Sequence, residues 1–309
     1  MTSNCLKCEP QFMSAFNQNI RSWLELARSS NLPTVWTNIL AAWLLAGGKW
    51  DWHPLAWLLI GGSLIYTGGM ILNDAADVKF DREFRKERPL PSGRVSVVAA
   101  WCVGTGCLVA GFVTMVWGAE SCIWLTGSLV VAAVAYDLYH KPWAGSILIM
   151  GSCRTLLYLT AASAVTGSLN WESHHEVIIK AIALGGYVVG LSLVARHEST
   201  AAKPDRYIFI GSLLMLGSPI YSGVTYSLIY GHPGHGLFMC AGLSLFLWVV
   251  VKKLKSDPPR TIGPAVAGLL AGIVLVDATA VSSVSITATV ALACMLPMAL
   301  LWQRVIAAT

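Results

Sequence analysis

The segment from Asn73 to Asp81 brings four side chains with metal-binding oxygens into nine residues. On a continuing helix, Asp74, Asp77 and Asp81 are spaced i, i+3 and i+7, so they fall on one broad face together with Asn73. Three carboxylates so close together repel one another, and the spacing therefore argues for a bound cation. Hard oxygen ligands suit Mg²⁺, which usually keeps several waters and shares phosphate oxygens.

Basic residues follow this acidic segment directly. They are Arg82, Arg85, Lys86 and Arg88. The stretch 89–94, Pro-Leu-Pro-Ser-Gly-Arg, predicts a turn that ends the helix. Acids for a metal beside cations for phosphate favour a diphosphate site. A solvated basic loop at a membrane surface would explain the arginines, but it would not explain the spacing of the acids.

The composition indicates which kind of protein must position these residues. Of 309 residues, 55% are hydrophobic and only 12% are charged; the mean hydropathy is +0.63. Soluble domains carry roughly 25% charged residues, so the sequence predicts an integral membrane protein. The formal charge of +5 is small, and we expect no nucleic-acid partner.

Apolar runs recur along the chain at lengths near those needed to cross about 30 Å of hydrocarbon. They lie at 32–48, 54–72, 95–117, 119–136, 143–166, 177–195, 207–229, 236–251, 262–281 and 286–302. In lipid the backbone must satisfy its own hydrogen bonds, so these runs are predicted to be helices. The run 236–251 is short, and 119–136 must form a tight hairpin with its predecessor. Ahead of the spans, 11–30 is typical of an interfacial helix.

Lysine and arginine are concentrated in alternate connections. The basic loops are 75–94, 137–142, 196–206 and 252–260. The positive-inside rule then places these loops and the amino terminus in the cytoplasm. We therefore predict a multi-pass protein, in a bacterial inner membrane, with an amino-terminal cytoplasmic or interfacial segment 1–30 and a transmembrane domain 31–309. The pattern alone does not choose between nine and ten spans.

The acidic segment resembles the first aspartate motif of the UbiA superfamily of intramembrane prenyltransferases, N-D-x-x-D-x-x-x-D followed by R-P-[LI]-x-x-G. The motif is complete here, with residues Asn73, Asp74, Asp77, Asp81, Arg88, Pro89, Leu90 and Gly93. The resemblance implies an all-α polytopic bundle of about nine transmembrane helices around a central cavity, capped by cytoplasmic loops. It also implies Mg²⁺, a polyprenyl diphosphate and a lipid-like acceptor.

Two shorter matches extend the resemblance. Arg28, just before Leu32-Pro33, looks like the family's arginine at the start of the first span. Tyr136 and Lys141 look like the family's Y-[ST]-x-x-x-K element after the fourth span, and both would then face the diphosphate. The alternative for Tyr136 is an interfacial aromatic residue.

The chain departs from the family at the second motif, D-x-x-x-D, in the loop after the sixth span. Only Glu198 lies at a plausible position, and Arg196, His197 and Lys203 bring positive charge there. These three would contact the diphosphate directly in place of a second metal. With the Met150-Gly-x-Cys-Arg154 segment, this loop looks most like the UbiA-like branch found in ebo gene clusters.

Arg154 is a charge inside an apolar run, and intramembrane charges are expensive and usually functional. It is expected to line the cavity and bind substrate, or else to form a structural pair with Asp137 or Glu198. Asp277 also lies in an apolar run, and the sequence assigns it no role.

The resemblance implies Mg²⁺-dependent transfer of a prenyl group from a polyprenyl diphosphate to an aromatic or hydroxyl acceptor. The implied catalytic residues are Asp74, Asp77, Asp81, Tyr136 and Lys141. The implied metal ligands are Asn73, Asp77, Asp81 and Glu198. The resemblance implies Arg28 and Arg88 as substrate-binding residues, and the residues themselves add Arg154, Arg196, His197 and Lys203. Two alternatives are a non-catalytic isoprenoid-binding or transport protein and an intramembrane terpene cyclase. No oligomeric state is indicated.

Overall fold

The structure, a computed structural model, describes residues 18–49, 51–139, 143, 145–196, 208–217, 220, 233–256 and 258–306. All regular secondary structure in these residues is helical, which confirms the predicted all-α fold. Lys141, His197, Glu198 and Lys203 lie outside these ranges, and so do the side chain of Arg196 and most of the amino-terminal segment.

The helices are numbered in chain order. They are α1 (18–26), α2 (Leu32–Leu45), α3 (Trp52–Ala76), α4 (Val78–Phe84), α5 (Val97–Val113), α6 (Ile123–Tyr139), α7 (Ser146–Thr166), α8 (Trp171–Arg196), α9 (Ile208–Gly217), α10 (Pro233–Ser256), α11 (Pro258–Ala271), α12 (Ile273–Val281), α13 (Ile286–Ala293) and α14 (Met295–Val305). A 3₁₀ turn, Ser29–Asn31, precedes α2, and a π turn, Thr114–Gly118, extends α5.

Six helical stretches among the described residues are long and apolar enough to cross a membrane. They are Trp52–Ala76, Val97–Gly118, Ser146–Thr166, Trp171–Ala195, Gly263–Val281 and Ile286–Val305. Ile123–Tyr139, Ile208–Gly217 and Leu237–Lys252 are shorter apolar helices. The chain is therefore an integral membrane protein. The count of nine spans stays a prediction.

Two of the apolar runs were each expected to form one helix, but each forms two consecutive helices. The run 262–281 divides at Gly272 into α11 and α12, and the run 286–302 divides at Cys294 into α13 and α14. Near the first interruption, the Tyr187 hydroxyl of α8 donates to the Leu269 carbonyl at 2.7 Å. A β-carbon on Gly272 would lie 2.5 Å from that hydroxyl oxygen. Glycine thus makes room for the phenol.

A small apolar cluster, separate from the main core, lies at the end of the bundle where α3 ends and α5 begins. Its buried members come from α1, α3, α5 and the loop after α4: Leu26, Ile71, Ala75, Leu90, Val95 and Ala100. Helix α1 turns Leu26 inwards, while Ile20 and Leu24 on the same helix stay exposed. Helix α1 lies within the range 11–30, and both the interfacial position of that range and the domain boundary at residue 30 stay predictions.

Helices α3 and α5 approach each other closely along two facing glycine pairs. A β-carbon on Gly68 would lie 2.7 Å from the carbonyl oxygen of Gly104, and one on Gly111 would lie 2.8 Å from that of Gly61. In lipid the hydrophobic effect contributes little to the association of helices. Helices therefore associate through close packing, which small residues allow. We call the contact of these two glycine pairs the glycine seam between α3 and α5. The glycine seam fixes the position of α3, and the last turn of α3 carries the start of the aspartate motif.

Candidate active site

The aspartate motif lies where α3 passes into α4. Helix α3 ends at Ala76, Asp77 forms a one-residue turn, and α4 begins at Val78. The hydrogen-bond ladder continues across the turn, because the Asp77 amide donates to the Asn73 carbonyl and the Asp81 amide to the Asp77 carbonyl, both at 3.0 Å. The expected shared face is therefore retained despite the interruption. Asn73, Asp74 and Asp81 are buried, and Asp77 is half-buried.

Arg88 and Arg28 neutralise the buried acids. Arg88 Nη1 lies 3.1 Å from Asp74 Oδ1 and 3.0 Å from Asp81 Oδ2. Arg28 Nη2 approaches the same Asp74 oxygen at 3.2 Å. Buried carboxylates need such partners, because removing a charge from water costs more than a single weak contact returns. The structure thus joins Arg28 and Arg88 with Asp74 and Asp81 in one ion-pair network.

Arg28 reaches Asp74 from a left-handed backbone conformation, with φ 42° and ψ 47°. For a residue with a β-carbon this conformation costs roughly 1–2 kcal/mol. It lies between α1 and the 3₁₀ turn, so it redirects the chain into α2. Burial lowers the pKa of Arg28, but the Asp74 carboxylate more than compensates and the net pKa is raised. The guanidinium therefore stays charged at any working pH.

The loop that carries Arg88 is held in place by a residue that the motif did not identify as functional. Arg94 donates to the Glu87 carbonyl at 2.7 Å and to Glu25 Oε2 of α1 at 3.2 Å. Gly93, in the same turn, has φ +77°, which explains the glycine in the motif. Leu90 anchors the turn in the small apolar cluster.

A cavity of about 90 Å³ lies between α3, α6 and α7. It is lined by Gly62, Ile65, Tyr66, Gly69, Met70, Leu129, Ala133, Tyr136, Asp137, Met150, Cys153, Arg154 and Leu157. Most of these are apolar, and the polar ones are two tyrosines, one acid and one arginine. Asn73 Nδ2 donates to Asp137 Oδ1 at 3.1 Å, so the aspartate motif is bonded directly to the cavity wall. Tyr136 also lines the cavity, and its predicted role toward the diphosphate stays a prediction.

Arg154 also lines the cavity, but its partners differ from those expected. Its side-chain hydrogen bonds within the described residues go to Asn38 Oδ1 at 2.9 Å and Thr34 Oγ1 at 3.1 Å, and not to Asp137. The expected pairing with Asp137 was wrong because α7 packs against α2 at this point and presents the guanidinium to it. The guanidinium carbon lies 5.5 Å from the centre of the Tyr66 ring. Asn38 Nδ2 in turn donates to Asp277 Oδ2 at 2.7 Å.

The oxygen chemistry of the aspartate motif fits Mg²⁺. Asp81 Oδ1 is buried and has no hydrogen-bond partner within the described residues. The half-buried Asp77 supplies a second hard oxygen donor. No cluster of three or more His, Cys, Asp or Glu side chains in the described part of the chain is arranged to hold a metal ion. The ligand set Asn73, Asp77, Asp81 and Glu198 therefore stays a prediction.

Four residues near the site carried little or no signal in the sequence. Tyr66 and Asp137 line the cavity, and Asn38 and Asp277 connect to Arg154. Asp137 directly follows Tyr136, which was a local clue. Asn38 and Asp277 are polar residues in apolar runs, which marks them as costly but does not show their partners.

The fold and the site together define an integral membrane helical bundle with an apolar cavity that ends at an aspartate–arginine network. The sequence pattern of the UbiA prenyltransferase family matches residues 34–278. This range covers most of the chain, and the protein belongs to that family.

Two individual relatives also support membership of this family. The chain is 30% identical over 154 residues to a 4-hydroxybenzoate octaprenyltransferase of Paracidovorax citrulli, covering 48% of this chain and 52% of the relative. It is 28% identical over 139 residues to a digeranylgeranylglyceryl phosphate synthase of Methanopyrus kandleri, covering 43% and 51%. These alignments span about half the length of each relative.

A solved structure of a UbiA homolog from Aeropyrum pernix K1 superimposes with a TM-score of 0.66 at 15% identity, covering 81% of this chain and 96% of that one. At this identity the likeness supports the fold alone.

Proposed function

We propose that this protein transfers a prenyl group from a polyprenyl diphosphate to an aromatic or hydroxyl acceptor within the membrane, with Mg²⁺. The observation that carries the proposal is the bond between Asn73 and Asp137, which joins the aspartate–arginine network to a mostly apolar cavity. Such a junction suits a ligand with a charged head and a hydrocarbon tail. The names of the two relatives, which both describe transfer or synthesis with prenyl groups, support the same class of reaction.

The residues of the network have separate tasks in this proposal. Arg28 and Arg88 bind diphosphate oxygens through charge-assisted hydrogen bonds. Asn73, Asp77 and Asp81, with Asp74 beside them, would hold Mg²⁺, and a bound metal supplies positive charge that favours departure of the diphosphate. Tyr136 and Lys141 donate hydrogen bonds to the leaving group. The apolar wall excludes water from the allylic carbon while its bond to oxygen breaks.

The remaining parts of the proposal concern the second loop and the setting. Arg196, His197 and Lys203 contact the diphosphate, and Glu198 contributes to a metal. The altered loop and the Met150–Arg154 segment suggest the UbiA-like branch found in ebo gene clusters. The proposed setting is a bacterial inner membrane. The lysine and arginine pattern favours an orientation with the active-site loops and the amino terminus in the cytoplasm.

The test compares Asp77→Ala with Glu83→Ala, an exposed acid on the neighbouring helix α4. Each purified protein is incubated with Mg²⁺, prenyl diphosphates of several lengths and a cell lipid extract. Diphosphate release is measured, and products are identified by mass. We expect Asp77→Ala to lose Mg²⁺-dependent release while it still inserts and purifies normally, and Glu83→Ala to retain release. Unchanged release in Asp77→Ala would refute the proposed site.

The same assay separates two other classes of protein. An isoprenoid that binds to the wild-type protein without turnover would indicate a non-catalytic binding or transport protein. A hydrocarbon product that forms without any acceptor would indicate an intramembrane terpene cyclase.

A further inference from the structure

A groove of about 350 Å³ lies between α9 and α10. Its lining includes Ser212, Met215 and Leu216 of α9 and Leu247, Trp248 and Lys252 of α10. Within the described residues it shares no lining residue with the cavity beside the aspartate motif. Its volume falls within the range of about 300–1,000 Å³ that is usual for small-molecule sites. We refer to it as the α9–α10 groove, and the proposed prenyl transfer makes no use of it.

The α9–α10 groove is apolar at one end and polar at the other. On α10, Leu247 precedes Lys252 by five residues, which corresponds to about 7.5 Å along the helix axis. On α9, Ser212 precedes Leu216 by about one turn. Ser212 is the fifth residue of α9 and Lys252 is the fifth from the end of α10, and the predicted orientation places these two helix ends on the same side of the membrane. The hydroxyl and the ammonium therefore belong to the same end of the groove.

The hydroxyl oxygen of Ser212 is buried and has no hydrogen-bond partner within the described residues. Two serines of the neighbouring helices α8 and α10 differ from it. Ser192 and Ser244 each donate to the carbonyl four residues earlier, at 2.8 and 2.7 Å. Buried hydroxyls in folded proteins nearly always have a partner. A ligand in the groove would provide one for Ser212.

Lys252 supplies positive charge at the polar end of the groove. Its side chain is exposed, and its ammonium nitrogen lies 4.9 Å from the centre of the Trp248 ring. Lys253, Lys255 and Arg260 follow in the sequence, so the connection 252–260 carries four cations and one acid. A cluster of this size at the cytoplasmic end of a transmembrane helix is typical of binding to anionic lipid headgroups.

The chemistry of the groove favours a phospholipid over a prenyl diphosphate. The described lining residues include no carboxylate, so the groove lacks the ligands with which the aspartate motif would hold Mg²⁺. One ammonium suits a phosphodiester, which carries a single negative charge, and the apolar end suits an acyl chain. Trp248 is 59% exposed, as is usual for an aromatic residue at the membrane interface.

We propose that the α9–α10 groove binds an anionic phospholipid. Lys252 pairs with the phosphodiester, and Ser212 donates a hydrogen bond to an ester oxygen. One acyl chain lies against Met215, Leu216 and Leu247. The lipid fills the space between α9 and α10 and stabilises the packing of these helices, because a ligand that binds only the folded state raises its stability. This inference is independent of the proposed prenyl transfer.

The experiment measures lipid binding to the purified full-length protein in detergent by native mass spectrometry. Delipidated protein is titrated with phosphatidylglycerol or with phosphatidylcholine of the same acyl chains, so that the two probes differ in net charge. We expect about tenfold tighter binding of phosphatidylglycerol and a larger rise in the midpoint of thermal unfolding. Equal affinity for the two lipids would overturn the proposal. Excess inorganic phosphate should not displace the lipid, and displacement would overturn the part assigned to the acyl chain.

Lys252→Gln tests the charge. It is expected to bind phosphatidylglycerol about tenfold more weakly and to lose the preference for this lipid, because it removes a hydrogen bond to a charged group. Lys79→Gln removes an exposed lysine of α4, outside the groove, and should keep wild-type binding. Equal losses in the two variants would show attraction by net charge alone and would overturn the site.

Ser212→Ala and Leu216→Trp test the rest of the groove. Ser212→Ala should weaken the binding of both lipids about threefold and leave the preference unchanged, because one neutral hydrogen bond is lost. Ser244→Ala is its control, since that hydroxyl already bonds to its own helix, and it should change neither affinity. Leu216→Trp fills the apolar end and should weaken both lipids at least tenfold. Wild-type affinity for phosphatidylglycerol in Lys252→Gln, or in a Leu216→Trp variant that unfolds at the wild-type midpoint, would overturn the proposal.

Discussion

Arg88 has a contact with each of two acids, since one guanidinium nitrogen lies within 3.1 Å of both Asp74 and Asp81. The spacing of the acids had indicated repulsion that a metal would relieve. The structure shows that arginines relieve part of it. In the proposed reaction these arginines bind the diphosphate, so substrate and acids compete for the same cations. Asp74, Asp81, Arg28 and Arg88 are therefore one unit, and removing one side alone leaves a buried charge without its partner.

Arg88→Gln tests this unit through stability. The substitution leaves Asp81, whose side chain is 2% exposed, without its cation, and loss of one partner of a buried pair costs about 3–5 kcal/mol. We expect a clear fall in the midpoint of thermal unfolding in detergent.

Arg82→Gln is the control for Arg88→Gln. Arg82 is exposed on α4, and a surface change of this kind usually alters stability by no more than about 0.5 kcal/mol. Equal midpoints for Arg88→Gln and Arg82→Gln would show that the two ion pairs of Arg88 contribute little.

Among the helices, the seam between α3 and α5 determines where the aspartate motif lies. Gly61 and Gly68 face Gly111 and Gly104 at backbone contact. The two glycines of each helix are seven residues apart, so they recur on one face after about two turns. The sequence has 28 glycines, and their positions alone do not show which helices meet.

Gly68→Ala is expected to weaken this seam, because the new β-carbon would lie 2.7 Å from the Gly104 carbonyl oxygen, a backbone atom that cannot rotate away. Overpacking of this kind costs about 1–3 kcal/mol. Gly106→Ala on α5 meets nothing within 4 Å, and in a helix interior it should stabilise by about 0.5–1 kcal/mol. The measurement is the unfolding midpoint of both variants, and opposite signs are expected. A stabilised Gly68→Ala variant would contradict the close approach.

Tyr187→Phe tests the interruption between α11 and α12. It removes the hydroxyl that donates to the Leu269 carbonyl, and leaving a buried acceptor unpaired costs about 1–3 kcal/mol. Tyr139→Phe removes a hydroxyl from a residue that is 54% exposed, so it should have little effect. Thermal unfolding of the two variants is compared, and an equal response would mean that the hydroxyl of Tyr187 does not support the interruption.

At the scale of the whole molecule, the distribution of cations predicts how the bundle is oriented. The connection 85–96 carries Arg85, Lys86, Arg88 and Arg94, whereas the connection 167–170 between α7 and α8 carries no lysine or arginine. Alkaline phosphatase inserted at Gly167 should be active, because its disulfides form only outside the cytoplasm. The same reporter inserted at Gly93 should be inactive. Active enzyme at Gly93 would reverse the predicted orientation.

The sequence by itself determined the membrane class, the helical fold and the composition of the aspartate motif. These follow from local rules: a run of apolar residues must form a helix in lipid, and residues three, four and seven apart share a helix face. Asn73–Asp81 and the turn that follows were predicted in this way. The interruptions at Gly272 and Cys294 were not, because an apolar run looks the same whether or not it is broken.

Only the tertiary structure decided which residues complete the site. Arg28 meets Asp74 across 46 residues, Asn73 meets Asp137 across 64, and Asn38 meets Asp277 across 239. Spacing within one helix cannot predict such contacts, because they depend on which helices become neighbours and at what depth their side chains face each other. Close packing along glycine seams and the need to pair each buried charge select that arrangement.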